Sequence, residues 1–287
     1  MEHGRGRLAD GAHMKAERRR RPLVRILGIA CLLLLPAAAV IAVGIVRGTS
    51  PPPFEDGFEE PLSAAAWQVD ADDGCRIETT ALAARSGSRA LRIDAPKDER
   101  CELVPRLFGP YAQKVFREPF GKDRWYAFSV YIERLEDDAP PEDLGENTIV
   151  AQWHSSPDPF LGEGGRGPPL ALRIHEGRWG LTFGWDSNPI STRQHIAGVW
   201  EFVGPVETGR WIDWTFHVRW SIGEDGVTEV WRDGELVLQR NGPNTYGDLR
   251  GVYLKLGLYH PTSDSTILID EVSLGNADPR LRPGGSR

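Results

Sequence analysis

Tyr253-Leu254-Lys255-Leu256-Gly257-Leu258-Tyr259 is the stretch on which the fold turns. Successive side chains of an extended strand point to opposite faces. The three leucines therefore share one face, which needs an apolar layer to cover it. Tyr253, Lys255, Gly257 and Tyr259 share the other, which is polar and suited to line an open surface. The pattern implies a sheet protein with one buried and one chemically loaded face.

Working outward, Leu91–Ile93, Trp125–Ile132, Asn147–His154, Leu170–Ile174, Trp211–Trp220 and Thr266–Val272 are further short segments rich in β-branched and aromatic residues, separated by Gly, Pro and Asp clusters. Glu229 to Val237 reads as a hairpin whose Asp233-Gly234 pair supplies the positive φ of a type I′ turn. No long amphipathic helix is visible after residue 50, and no internal repeat. Many short strands over residues 54–276 predict an all-β, two-sheet sandwich of the jelly-roll, concanavalin-like type.

The 287 residues are 40% hydrophobic and 26% charged, with 10 Trp, 32 Gly and 22 Pro but only 2 Met. That balance excludes a disordered or multi-span chain and favours turns and sheets over a helical bundle. Charge is uneven. Residues 1–50 carry nine basic and three acidic groups, leaving 25 basic against 38 acidic beyond them. A domain of that sign repels a phosphate backbone, so nucleic acid is not an expected partner.

The basic tail 1–25, with Arg18 to Arg21 and Arg25, precedes an uncharged stretch from Ile26 to Val46. These residues suffice to cross the ~30 Å hydrocarbon core as a helix. The positive-inside rule keeps the arginines in the cytoplasm and exports the chain beyond Arg47. The expectation is a single-pass anchor at 26–46, a Pro-rich linker at 47–53, the folded domain at 54–276 outside the cytoplasm and a flexible tail at 277–287. Cleavage of the segment as a signal, with secretion, is the alternative. Cys31 lies in this segment, which leaves Cys75 and Cys101 as an exported pair expected to be joined; two buried free thiols are the alternative. No CxxC or HExxH spacing supports zinc.

Chemistry is then sought on strand faces. Arg100 and Glu102 flank Cys101, and Gln152 and His154 flank Trp153, repeating the alternation of Tyr253 to Tyr259. Together Arg100-Cys-Glu-Leu103, Gln152-Trp-His154 and Tyr253-Leu-Lys-Leu-Gly-Leu-Tyr259 resemble the R-x-E-L, Q-x-H and Y-x-K-x-G-x-Y signatures of jelly-roll polysaccharide lyases. The likeness is strongest to the glucuronan lyase and heparin lyase I-like group and more distant to jelly-roll alginate lyases. It spans roughly residues 54–276. Cys101 stands where alginate lyases carry Thr, and His260-Pro261 comes after Tyr259 where they carry a Gln two residues on.

The resemblance implies cleavage of an anionic, uronate-containing polysaccharide by β-elimination, with Tyr259 as acid/base and His154 and Gln152 as its partners. The residue types suit that reaction independently. Removing the C5 proton builds charge on the adjacent carboxylate, and donors must face it. Gln152 offers an amide, Arg100 a fixed cation, and His154 either a base or a donor. A phenol ordinarily titrates at about 10 and needs a nearby cation, Lys255 or Arg100, to act as a base. Glu102 is expected to orient Arg100, and Tyr253, Lys255 and Trp153 to contact substrate. Which of Arg173, Arg193 and Arg219 join the site is open at this point, as is which group takes the C5 proton.

The chemistry requires no cofactor. Related folds hold a structural calcium between their terminal strands, which makes Glu55, Asp56 and Asp270 candidate oxygen ligands. Trp153, Trp179, Trp185 and Trp200 are candidates for sugar stacking, and Gly162 to Gly167 reads as a flexible loop beside the site. Two other classes are weighed. A glycoside hydrolase of this fold needs paired carboxylates across one strand, and no such string is present. A non-catalytic carbohydrate-binding sandwich has no need of Tyr, His, Gln and Arg facing one point.

Overall fold

The structure, a computed structural model, describes residues 52–106, 118, 120–135, 147–191 and 197–281. The chain divides into units Met1–Ala42 and Val43–Arg287, and everything described belongs to the second. The expected anchor at 26–46 lies outside the described residues. Among those described, no helix is long and apolar enough to cross a membrane.

Fifteen strands succeed one another along the chain: β1 (Phe54–Asp56), β2 (Trp67–Ala71), β3 (Arg76–Thr80), β4 (Ala90–Ala95), β5 (Arg100–Pro105), β6 (Asp123–Arg134), β7 (Thr148–His154), β8 (Leu170–His175), β9 (Arg178–Trp185), β10 (Ala197–Pro205), β11 (Trp211–Arg219), β12 (Val227–Arg232), β13 (Glu235–Asn241), β14 (Tyr253–Tyr259) and β15 (Ser265–Gly275). They form two sheets. The first runs β13-β12-β11-β6-β15-β4-β3, with β1 paired to β15; the second runs β10-β9-β8-β7-β14-β5-β2. Every pairing is antiparallel.

Alternation decides which side of each strand is buried. Leu254, Leu256 and Leu258 are at most 1% exposed, and Ile267, Ile269, Phe128, Val130, Phe216 and Val218 meet them from the first sheet. Trp153, Trp179, Trp214 and Trp220 fill the interior, with Trp153 packed on Tyr126 and Phe216 at ring distances of 5.1 and 4.7 Å. Each such side chain contributes on the order of 1.5–3 kcal/mol by leaving water. The β12–β13 hairpin turns at Asp233 (φ 51°) and Gly234 (φ 81°), the two positive values that a type I′ turn needs.

Cys75 and Cys101 form a disulfide with Cα atoms 5.7 Å apart. Cys101 points into the core from β5, and Cys75 immediately precedes β3 of the other sheet. Reduction is expected to cost about 2–4 kcal/mol of stability, read as a lowered urea midpoint in the presence of reductant. An unchanged midpoint after verified reduction would show the bridge to be energetically idle.

Candidate active site

Strand order makes neighbours of the three motifs. β14 lies between β5 and β7, so their registers define one patch. Tyr259 stands opposite Arg100 and Gly257 opposite Glu102; on the other side Lys255 stands opposite Gln152 and Tyr253 opposite His154. All face away from the leucines. Gly257 has φ 139°, and a Cβ there would sit 2.1 Å from the Cys101 carbonyl oxygen, so only glycine fits. The β5 backbone fills the place a side chain would take there.

Charges are paired across this floor. Glu102, 1% exposed, accepts from the Gln152 amide at Oε1 and from Lys255 Nζ at 3.1 Å on Oε2. Lys255 Nζ also donates to Asp70 at 2.6 Å. Arg100 lies 3.7 Å from Asp70 and 3.6 Å from Glu102, and its guanidinium stands 4.8 Å over the Tyr259 ring. Glu102 thus positions Gln152 and Lys255 more closely than Arg100, the residue it was expected to orient. Burial drives the Glu102 carboxyl above its ordinary value, although Lys255, Gln152 and Arg100 oppose this. Burial also pulls Lys255 and Arg100 down. The acids around Lys255 outweigh that, as do Tyr259, Asp70 and Glu102 around Arg100, so both cations end above their ordinary values.

His154 occupies the far end of the patch, its ring 5.3 Å from that of Tyr253. Burial, then Lys255 and Arg100, hold it below the ordinary histidine value despite the Ser155 carbonyl. Nδ1 lies 2.8 Å from that carbonyl oxygen, which can only accept. The neutral ring therefore carries its hydrogen on Nδ1 and presents a lone pair on Nε2. Tyr259 and His154 do not touch: Tyr259 lies six positions along β14 from Tyr253, the residue opposite His154, about 20 Å at ~3.4 Å per residue. Gln152, Lys255 and Gly257 occupy the floor between them.

Two residues of this patch are not assigned to it by the sequence. Asp70 comes from β2, opposite Glu102, and Arg173 from β8. A register shift in β7 puts Ile149 opposite both Tyr259 and Arg173, so the two flank it in one row. The alternation Leu172-Arg173-Ile174 is the signal that points to Arg173. Arg219 is elsewhere, paired with Asp123 on the first sheet, and Arg193 is outside the described residues.

Several expectations are corrected. Trp153 cannot contact substrate: it alternates with Gln152 and His154, so it points inward and is 0% exposed. Trp179 is likewise core, and Trp185 is stacked by Arg240 at 4.3 Å; of the four tryptophans only Trp200 belongs to the open side. The Gly162 to Gly167 loop is pinned rather than loose. Glu163 accepts the Asp158 and Ser191 amides at 2.9 and 2.7 Å, and buried Arg166 donates to Glu163 and Asp248.

β1 does pair with β15, which places Glu55, Asp56 and Asp270 near one another in the fold. However, Asp56 accepts from Phe58 N and Trp67 Nε1, and Asp270 from the amides of Arg85, Ser86 and Glu271. Among the described residues no group of three or more acidic, His or Cys side chains is arranged to hold a metal ion. These residues do not fit a calcium ligand set.

Residues 61–273, the span containing all three motifs, match the polysaccharide lyase family. Among solved structures, the endo-β-1,4-glucuronan lyase of the fungus Trichoderma reesei superposes with a TM-score of 0.60 at 16% identity, over 80% of this chain and 96% of its own. The cellulose induced protein Cip1 gives 0.52 at 14% identity, over 78% and 97%. Alginate lyase A1-II′, of polysaccharide lyase family 7, gives 0.47 at 17% identity, over 75% and 96%. At these identities the first two likenesses establish the sandwich fold. No curated protein sequence matches the chain.

Proposed function

The chain belongs to the polysaccharide lyase family, and on that footing we propose that it cleaves a 4-linked polyuronate of the glucuronan type by β-elimination, with Tyr259 as the proton-transferring group. The observation that carries this reading is the succession of the pairs Arg100–Tyr259, Gln152–Lys255 and His154–Tyr253 along three adjacent strands, all facing the same open side. The glucuronan lyase of similar fold supports the choice of substrate class.

In a 4-linked D-glucuronate, the C5 hydrogen and the C4 oxygen lie on one face of the ring. A single group can then remove the proton and return it to the departing oxygen. Tyr259 is that group, and Arg100 over its ring stabilises negative charge while the phenolate exists. The C5–H bond breaks, its electron pair forms the C4–C5 double bond, and the C4–O bond releases the preceding sugar. Gln152, held by Glu102, directs its second amide hydrogen to the carboxylate on which charge builds. His154, about 20 Å along β14 from Tyr259, accepts a ring hydroxyl hydrogen at Nε2 from another unit of the same polymer.

For the C5 epimer the proton and oxygen leave from opposite faces, so one group cannot serve both; His154 Nε2, beside Tyr253 at the other end of the patch, is then the available base. An exported, membrane-tethered location, inferred from residues 18–46, would put this chemistry at the cell surface. No step of the elimination uses a metal or cofactor.

The deciding experiment offers glucuronan, polymannuronate, polyguluronate and polygalacturonate to the membrane and soluble fractions of producing cells, and to the purified protein. Ultraviolet absorbance of the unsaturated product is monitored. Glucuronan cleavage in the membrane fraction is expected. Cleavage of polyguluronate alone would transfer the base to His154, and binding without any unsaturated product would make the protein a carbohydrate-binding module.

His154 gives the activity a pH dependence. Its folded-state value lies below about 6.5, so the neutral ring persists down to that lower value and is lost as pH falls through it. kcat/KM is expected to show an acid limb below about 6.5 that His154→Gln removes. A limb at or above 6.5 that persists in the variant would exclude this role.

A further inference from the structure

Beyond Tyr259 the open face of the second sheet continues across β8, β9 and β10, where nothing takes part in the proposed elimination. After Arg178 at its start, β9 turns only small residues to this side, Gly180, Thr182 and Gly184. Phe202 and Trp200 of the edge strand stand opposite Gly180 and Thr182. Both rings lie over the glycine: a Cβ at Gly180 would meet Trp200 Cζ3 at 2.9 Å and Phe202 Cδ1 at 3.6 Å. Phe202 is 38% exposed, Arg178 lies 3.8 Å over its ring, and Trp200 is half-buried. An aromatic surface is thus laid along the sheet, next to the row that holds Tyr259.

Arg173 borders this surface, its guanidinium carbon 5.8 Å from the Trp200 ring. Nε donates to Thr182 Oγ1 at 2.8 Å and Nη1 to Asn147 Oδ1 at 2.6 Å, both uncharged acceptors. The other cations of the face are neutralised, since Lys255 and Arg100 share Asp70 and Glu102. Among the described residues, no carboxylate lies within ion-pairing distance of Arg173. Burial pulls its pKa down to about 10, which leaves it cationic at neutral pH. Holding a half-buried cation beside neutral acceptors costs free energy that a bound anion returns.

We propose that Trp200 and Arg173 form a second sugar subsite, in which a uronate ring of the polymer stacks on the indole while its carboxylate meets the guanidinium. Arg173 lies two strands from Tyr259, about 10 Å at ~4.8 Å per strand, so a unit bound there belongs to the same chain as the unit being cleaved. The stack explains why an aromatic ring covers a glycine on a polar face. The uncompensated cation explains selection of a uronate over a neutral sugar. This subsite rests on the polyuronate reading of the face, and the test separates the two.

Binding is measured by calorimetry in a Tyr259→Phe background, so that oligomers stay whole, with 4-linked glucuronate hexamer and dimer and with cellohexaose as the neutral control. Trp200→Ala is expected to weaken hexamer binding about tenfold and leave the dimer unchanged, while Trp200→Phe retains most of the affinity. Arg173→Gln is expected to abolish the preference for the hexauronate over cellohexaose. In the Tyr259 enzyme, Trp200→Ala should raise KM for the hexamer about tenfold at constant kcat.

Equal effects on hexamer and dimer, no effect of Trp200→Ala in a folded protein, or failure of the hexamer to bind at all would overturn the subsite. Should Arg173→Gln fail to fold, the outcome with Trp200→Ala decides. A protein that shows this length-dependent binding and never forms an unsaturated end retains the subsite and refutes the lyase chemistry. A lyase with length-independent responses retains the chemistry and refutes the subsite.

Discussion

Tyr259→Phe is expected to keep the fold and lose turnover on a polyuronate by roughly 10²–10⁴-fold, the usual weight of acid/base assistance. The ring stays and only the hydroxyl goes, at the end of a strand whose opposite face is Leu254, Leu256 and Leu258 in the core. Arg100 loses its interaction with the hydroxyl but keeps Asp70 and Glu102 as partners. Unfolding in urea should therefore superimpose on that of the parent, while the ultraviolet signal of product formation nearly vanishes. Near-full activity in the variant would remove Tyr259 from the mechanism. Tyr253→Phe, at the His154 end of the same strand, should lose much less.

The second large effect concerns stability. Lys255, 4% exposed, is the cation that compensates Glu102 in the floor and also binds Asp70. Lys255→Met leaves a buried carboxylate with Gln152 and a more distant Arg100, and breaking a buried pair in this way costs about 3–5 kcal/mol. The sign of the pH effect is fixed by burial. Glu102 already binds its proton more tightly folded than unfolded, and loss of Lys255 strengthens that preference. The destabilisation is therefore greatest well above the unfolded carboxyl value of about 4.5 and shrinks as pH falls and Glu102 protonates. Urea unfolding at pH 5 and pH 8 measures this, and Lys255→Met with Glu102→Gln should recover much of the loss. A variant equally destabilised at both pH values, with no recovery in the double substitution, would show that Lys255 acts by packing alone.

Most of the sandwich is legible in the sequence because its central strands alternate cleanly. β14, β7, β11 and β15 fall where Val, Ile, Leu and aromatic residues recur every second position, and Asp233-Gly234 marks its hairpin by turn chemistry alone. β9 and β10 do not announce themselves. β9 carries Gly180 and Gly184, which read as breaks, and those glycines make sense only once Trp200 and Tyr246 are seen packed against them. β2 and β3, half-exposed and polar, carry no pattern until the neighbouring strands supply one.

The site is legible to the extent that its residues share strands with leucines. Arg100, Glu102, Gln152, His154 and the β14 residues come together because β5, β14 and β7 are adjacent. Register is a different matter. Nothing local in the sequence says that Tyr259 meets Arg100 while His154 meets Tyr253, nor that Asp70 arrives from β2 to share Lys255. Trp153 misleads for the opposite reason: it lies between two site residues in sequence, which in a strand is the one place that points away from them.

The disulfide bears on register. Arg100 and Glu102 face outward only while Cys101 faces inward, and a slip of one residue in β5 would exchange them. The bridge to Cys75 forbids that slip, but only after oxidation. With the bridge open, the register of β5 rests on its pairing with β14 and β2 alone. The bond thus acts as a register pin, and reopening it is expected to lower activity together with stability, with reoxidation restoring both.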